Sequence, residues 1–467
     1  MYKRFLALSL CILVMPLMAH AVQGACNPND KPDIVQLRQE IQAGTAKNII
    51  LLIGDGMGDS EITAARNYKV GAAQRLAMDC LPFTGSVTTY ALQEDFPTKP
   101  NYVTDSAAGG TAWATGRKTS NGRISTLPAN DTKEKPPVPP QTILELAQKK
   151  GYRTGNVSTA EITDATPAVL GAHVNKRQCQ GPQDMQACPM YRKSANGPGS
   201  IAEQLIDHKI EVILGGGRQR FQQLIDDGQG KTVIDSAREQ GYLIVETAQE
   251  LAHSRPGEHQ RLLGLFTKGN MSMEWDGEEA LPFPDSSTHP PQHCKEVQRP
   301  ANEPALADMM NTAIHWLERT GSSSRGFFLQ VEGAQIDKRA HIAQPCQQIG
   351  ETIAFDDAIR DALKYAREHP GTLVIVTADH GHSTQIVPIP DKEDHGSGRM
   401  STLVTRDNSE MTIHYGTNQA CCSPGHDMEH TGTQVHIGAI GPQAFGVLGV
   451  HDMTDVFHLM ARALGAE

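Results

Sequence analysis

Asn48-Ile49-Ile50-Leu51-Leu52-Ile53-Gly54-Asp55 is a continuous apolar run that stops on an acid. A run with no polar alternation suits a strand buried on both faces, as in a parallel sheet covered by helices. Two further runs repeat the pattern: residues 326–331 lead into Glu332, and Thr372–Ala378 leads into Asp379-His380. Helix-like segments lie between the apolar runs. Residues 141–150 precede a strand at 154–158, and residues 200–207 precede one at 211–214. Asn302 can cap a helix with Pro304 in its first turn, and Leu306, Met309, Met310, Ala313 and Leu317 then share one face. Residues 347–369 read as a long helix stopped by Pro370-Gly371. Strands alternating with helices predict an α/β fold, a mainly parallel central β-sheet flanked by helices on both faces.

No internal repeat or linker divides the chain. The Pro-rich stretch 128–140 and the polar stretch 269–304 read as excursions from one core, so residues 22–467 are expected to form a single large domain. The N-terminus is a different kind of segment. Lys3 and Arg4 precede an apolar run over residues 5–18, followed by the small-x-small site Ala19-His20-Ala21. This predicts a secretory signal peptide over residues 1–21; a membrane span needs about 20 apolar residues and lacks a cleavage site.

Lys+Arg 42 against Asp+Glu 53 gives a net charge of -11, which argues against a nucleic-acid partner held by phosphate contacts. At 39% hydrophobic and 20% charged residues the chain can build a core, and disorder is excluded as its general state. Of 9 cysteines, Cys11 leaves with the signal. The even remainder in an exported chain favours disulfides, with Cys179 and Cys188 bracketing a short loop as a local staple. No C-x-x-C pairs point to a cysteine zinc site.

Ligands of open parallel sheets bind outside the carboxyl ends of strands, so Asp55, Glu332 and Asp379 can converge there and hold metal ions. Each acid could instead cap the next helix, and for Asp55 alone the two readings weigh equally. Two spacings favour metal. Asp337 and His341 are four apart, hence on one side of a helical turn, and Asp379 and His380 are adjacent at a strand end. Histidine with carboxylate suits zinc, and an all-oxygen set suits magnesium. In Asp105-Ser106-Ala107-Ala108-Gly109-Gly110, Ser106 is a candidate nucleophile at the positive end of a helix, where Asp105 or Ser106 could instead serve only as a cap. No G-x-S-x-G elbow competes with it. Gly215-Gly216-Gly217 lacks the Lys-Ser/Thr of a phosphate loop and reads as a tight turn.

Together with Asp164-Ala165-Thr166-Pro167, Val331-Glu332-Gly333-Ala334, Asp337-Lys338-Arg339-Ala340-His341 and Glu429-His430-Thr431-Gly432, these motifs resemble the bacterial alkaline phosphatases, in order and spacing from Lys47 to Gly465. The resemblance implies a phosphate monoesterase with two zinc ions and one magnesium ion, acting as a periplasmic homodimer without stable membrane association. It makes Ser106 the nucleophile that is transiently phosphorylated. Asp337, His341 and His430 would hold a first zinc, and Asp55, Asp379 and His380 a second. Asp55 would also reach the magnesium, with Thr166 and Glu332 as its other direct ligands. Arg177 matches the phosphate clamp, Asp105 the acid that orients it, and Asp164 and Lys338 residues that support the magnesium and phosphate sites. The resemblance also pairs Cys179 with Cys188 and Cys294 with Cys346, leaving Cys26, Cys80, Cys421 and Cys422 as extras. His382 either supports the ligands or is an ordinary hydrogen-bonded histidine.

Such chemistry implies turnover that increases toward alkaline pH, since zinc lowers the pKa of bound water to about 7. Competing functions are a phosphodiesterase of the same superfamily, a non-catalytic phosphate-binding protein, and a Ser/His/Asp hydrolase. The C/S-x-P-x-R signature of a sulfatase is absent.

Overall fold

The computed structural model describes residue 41 and residues 44–128, 136–226, 230–257, 260–282, 285–318, 325–389, 398–417 and 427–466. The expected signal peptide, Cys26, Cys421 and Cys422 lie outside the described residues. Among those described, no helix is long and apolar enough to cross a membrane.

A ten-stranded sheet forms the centre. Its order is Gly449–Asp452, Phe83–Thr88, Val435–Ile440, Thr372–Ala378, Asn48–Gly54, Phe327–Gly333, Arg153–Glu161, Val212–Gly216, Arg261–Leu265 and Tyr242–Val245. Among these strands Val435–Ile440 alone runs against its neighbours, so the sheet is mainly parallel, as expected. Asn48–Gly54 lies between two parallel partners, and Ile49 to Ile53 are each 0% exposed, which is why the run carries no polar alternation. Each such side chain contributes roughly 1.5–3 kcal/mol of burial.

Register brings the acids to one level. Gly54 pairs with Gly333 on one side and Ala378 on the other, while Glu332 pairs with Ser158. Asp55, Glu332 and Asp379 therefore emerge along one edge of the sheet. The Ser106–Thr115 helix, buried along its whole length, packs over this edge and ends at Gly116 in a left-handed turn. A buried polar relay holds it in place: Trp113 Nε1 donates to Gln330 Oε1 at 3.1 Å, and Gln330 Nε2 donates to the Thr166 carbonyl at 2.9 Å. The helix of the nucleophile and the helix of Thr166 are thus tied to the same central strand.

The predicted helices stand with shifted ends. Ile143–Lys149 begins after Thr142, Ile201–Asp207 after Ser200, each with a capping box. Pro345 starts the long helix Pro345–Glu368, which its missing N–H permits in the first turn. Asn302 does not cap: the next helix is Leu306–Leu317, with Ala305 at its N-cap, and the Asn302 carbonyl accepts from the Ala248 amide at 2.7 Å. Gly215 and Gly216 belong to a strand, and only Gly217, at φ 89°, makes the turn. A four-stranded antiparallel sheet of Leu281–Pro282, Arg399–Val404, Glu410–Tyr415 and Thr384–Val387 was not foreseen. Cys179–Cys188 and Cys294–Cys346 are disulfides, and Cys80 is also disulfide-bonded.

Candidate active site

Gly56 follows Asp55 at φ 63°, and a Cβ there would lie 3.0 Å from the Asp337 Cβ, so only glycine lets the first strand turn this close to the Gln335–His341 helix. The Gly56 amide donates to Asp379 Oδ1 at 2.9 Å. Two clusters result. Asp55, Asp379 and His380 form one; Asp337, His341, His382 and His430 form the other.

In the first cluster the His380 Nδ1–H faces the Gly381 carbonyl at 3.2 Å, which leaves its Nε2 lone pair pointing inward. Nε2 lies 3.4 Å from Asp55 Oδ1, 3.3 Å from Asp379 Oδ2 and 3.3 Å from Ser106 Oγ. Ser106 Oγ is also 3.4 Å from Asp55 Oδ1. A Ser/His/Asp triad needs its acid on the far ring nitrogen. Here both carboxylates share the serine's side of the ring, so the triad reading fails and an atom bound jointly by Nε2 and the two acids fits.

The second cluster surrounds Asp337 Oδ1. His341 Nε2 is 3.4 Å away, and His430 Nε2 and His382 Nε2 are each 3.3 Å away. Nδ1 of His341 is bonded to the Met428 carbonyl and that of His430 to the Thr104 carbonyl, so both rings turn Nε2 inward, where the two Nε2 atoms lie 3.1 Å apart beside Asp337. His382 has the opposite tautomer, because its Nδ1 accepts from the Ser383 amide at 2.8 Å. Its proton therefore sits on Nε2 and faces Asp337, which makes His382 a support rather than a third imidazole ligand.

The third expected site is built from the central strands. Glu332, buried, accepts from Ser158 Oγ, a partner that sequence reasoning missed because serine in an apolar strand carries no signal. Thr166 Oγ1, beside Glu332, is buried without a hydrogen bond of ordinary geometry, as is Asp379 Oδ2. Buried oxygens are rarely left so, and cations at these positions would satisfy them.

Electrostatics point the same way. Burial, reinforced by Asp337, Asp379 and Glu332, raises Asp55 well above the carboxylate range. Burial pushes Glu332 up to about 7, with Asp164 adding to it. Burial and the charge of Asp337 push Asp379 up to about 6. Against burial, His341, His382 and His430 hold Asp337 low, and Asp337 raises His430 to about 9. Burial and the charge on His430 keep His380 neutral. So many buried acids repel one another unless positive charge lies among them.

Beside Ser106 stands a chain of fixed charges. Asp105 is the N-cap of the serine's helix, accepting from the Ala108 amide at 2.9 Å, and also pairs with Arg177 Nη1 at 3.2 Å. Cap and functional group are the same residue. Arg177 Nη2 reaches Asp164 Oδ1 at 2.9 Å, and Lys338 Nζ reaches Asp164 Oδ2 at 2.7 Å. Despite burial, Lys338 and Arg177 hold Asp164 well below its ordinary value. With both oxygens engaged, Asp164 lies in neither metal-capable cluster; it positions the two cations.

The profile of the alkaline phosphatase family matches residues 46–423. The chain belongs to the alkaline phosphatase family. It is 50% identical to the streptomycin-6-phosphate phosphatase of Streptomyces griseus, over 90% of this chain and 91% of that one. It is 46% identical to the alkaline phosphatase of Escherichia coli K12, over 92% of this chain and 88% of that one. The alkaline phosphatase of the Antarctic bacterium TAB5 shares its fold, with a TM-score of 0.67 at 23% identity, covering 91% of this chain and 99% of the other. A variant of that enzyme, 25% identical and with a TM-score of 0.65 over 91% of this chain and 99% of its own, is described with magnesium bound. Alkaline phosphatases are metal-dependent phosphoric monoester hydrolases, and this member carries histidine-carboxylate clusters able to hold metal.

Proposed function

We propose that the chain is an exported alkaline phosphatase that hydrolyses phosphate monoesters through a phosphorylated Ser106. The observation that carries this is the position of Ser106 Oγ, 3.3 Å from His380 Nε2 and 3.4 Å from Asp55 Oδ1, at the mouth of a metal-capable cluster. Zinc is assigned to Asp55, Asp379 and His380 and to Asp337, His341 and His430; magnesium is assigned to Asp55, Thr166 and Glu332. When bound, two zinc ions supply charge for the attacking and departing oxygens and lower the pKa of coordinated hydroxyl and water.

The side chains divide the remaining work. Arg177, held by Asp105 and Asp164, presents its guanidinium as a fork for two non-bridging phosphate oxygens. Ser106 Oγ bonds to phosphorus as the ester oxygen leaves with the alcohol, and water then cleaves the seryl phosphate to release inorganic phosphate. Lys338 keeps a positive charge near the phosphate and aligns Asp164. One relative is named for streptomycin 6-phosphate and the other for no particular substrate, and the reading stops at the class of phosphate monoesters. Residues 22–467 as one catalytic domain, the periplasmic location and the homodimer belong to the same reading and rest on the N-terminal sequence and the family likeness.

The test is hydrolysis of a chromogenic phosphate monoester before EDTA, after EDTA, and after zinc and magnesium are restored. Loss and recovery of activity are expected. Undiminished activity in EDTA would remove the metal assignment, and phosphate binding without turnover in any state would leave a binding protein.

A further inference from the structure

A third cluster, Glu145 with His173 and His208, lies outside the two just described and comes from three different elements. Glu145 closes the capping box of the Ile143–Lys149 helix, its Oε2 accepting from the Thr142 amide at 2.8 Å. That fixes Oε1 toward His173 Nε2 at 3.1 Å and His208 Nε2 at 2.9 Å. His208 is the C-cap of the Ile201–Asp207 helix. His173 follows the Ala165–Gly171 helix and is held by Gln204, which accepts from its amide at 2.8 Å and donates to its carbonyl at 3.2 Å.

The histidine tautomers decide what the cluster is for. His173 Nδ1 is 2.8 Å from the Ser125 carbonyl, and His208 Nδ1 is 2.9 Å from the Gln204 carbonyl. A carbonyl only accepts, so each Nδ1 carries a proton. When neutral, each ring aims its Nε2 lone pair at the same carboxylate oxygen. Three electron-rich atoms facing one point call for positive charge between them, from a proton, which Glu145 favours on His208 against burial, or from one metal ion that displaces it. Two imidazolium rings would set two positive charges against a single carboxylate in a half-buried place. One divalent ion serves all three atoms together. A ligand histidine is ordinarily oriented in this way, by a hydrogen bond from its other nitrogen to a carbonyl.

We propose that Glu145, His173 and His208 form a separate metal site for a zinc-class divalent ion, with its remaining coordination open to water. Two imidazole nitrogens and a carboxylate are the donor set that suits zinc. Side-chain exposures of 22% for Glu145 and 25% for His208 leave a path for the ion. Bound there, it joins two helices to the segment that runs from His173 to Arg177. The assignment stands independently of the phosphatase reading.

The test counts zinc in the holoenzyme. Wild type, Glu145→Gln and His208→Gln are saturated with zinc and magnesium, desalted, and analysed by elemental mass spectrometry alongside monoester turnover. Glutamine at 145 keeps an acceptor for the Thr142 amide, and neither residue belongs to the phosphatase site. The wild type is expected to retain one zinc more per chain than either variant, at equal turnover. Equal zinc counts in folded variants would overturn the site. Should both variants fail to fold, the wild-type enzyme, before and after saturation with zinc, is labelled with diethylpyrocarbonate and the modification of His208 is mapped by mass spectrometry. Added zinc is expected to suppress that labelling, and labelling indifferent to zinc would overturn the proposal.

Discussion

Ser106 occupies the first turn of a buried helix, between a cluster of acids with His380 on one side and Arg177 on the other. Its replacement by alanine removes the only proposed covalent acceptor and leaves phosphate binding intact. Turnover of a monoester is expected to vanish while inorganic phosphate still binds; retained turnover would show another nucleophile. Arg177→Ala removes a charged fork worth roughly 1.5–3 kcal/mol per hydrogen bond to phosphate. With both bonds lost, inhibition by inorganic phosphate is expected to weaken by more than about 100-fold, measured at fixed metal loading. Asp55, Asp379 and His380 were legible in the sequence because they terminate apolar runs, and Asp337 with His341 because of helical spacing. His430 was legible only through family likeness, since nothing around it marks a strand end. Glu145, His173 and His208 carry no signal at all: each is ordinary in its own segment, and only the packing of three elements joins them.

The elements that bring these residues together depend on close approach. A Cβ on Gly109 would lie 2.9 Å from the Asp379 carbonyl oxygen. Gly109→Ala is therefore expected to push the serine's helix off the strand end, costing about 1–3 kcal/mol in overpacking and lowering kcat more than it lowers the unfolding midpoint would suggest. Unchanged kcat would show that the helix has slack. The long Pro345–Glu368 helix carries a different liability. Burial pushes Glu351 up to about 8, with nearby Glu274 adding to the effect. A raised acid prefers its neutral form in the folded state, so stability present below the unfolded pKa of about 4.3 declines as pH climbs toward about 8. The loss is at most ~1.4 kcal/mol per pH unit. Glu351→Gln keeps an acceptor for the Glu274 amide and is expected to flatten this decline in urea unfolding measured across that range. Parallel wild-type and variant curves would contradict it. At this scale the sequence revealed the five central parallel strands but not the outer Phe83–Thr88, Tyr242–Val245, Arg261–Leu265 and Gly449–Asp452, nor Val435–Ile440, whose lone glycine and histidine break the apolar run. The antiparallel sheet was hidden too, because its strands are split among polar excursions.

For the whole molecule, the sheet supplies the platform and a disulfide fastens the polar excursion 269–304 to a helix packed beside it. Cys294–Cys346 closes a separation of 52 residues, tying the polar excursion to the long helix. Replacing both cysteines by serine is expected to lower stability by ~2–4 kcal/mol, seen as a lower denaturation midpoint with the fold retained. An unchanged midpoint would mean that packing alone holds the excursion. The α/β class was readable because strand and helix periods alternate through the chain. The pairing of Cys294 with Cys346 was not readable from spacing and followed from family likeness. The central claim is that these parts converge on Ser106 as the atom that accepts phosphate. Its most direct test is to quench the metal-loaded enzyme in acid during turnover of a labelled monoester and to map the label by mass spectrometry. Phosphate on Ser106 is predicted, and its loss in Ser106→Ala; label on another residue, or turnover with Ser106 never phosphorylated, would contradict the account.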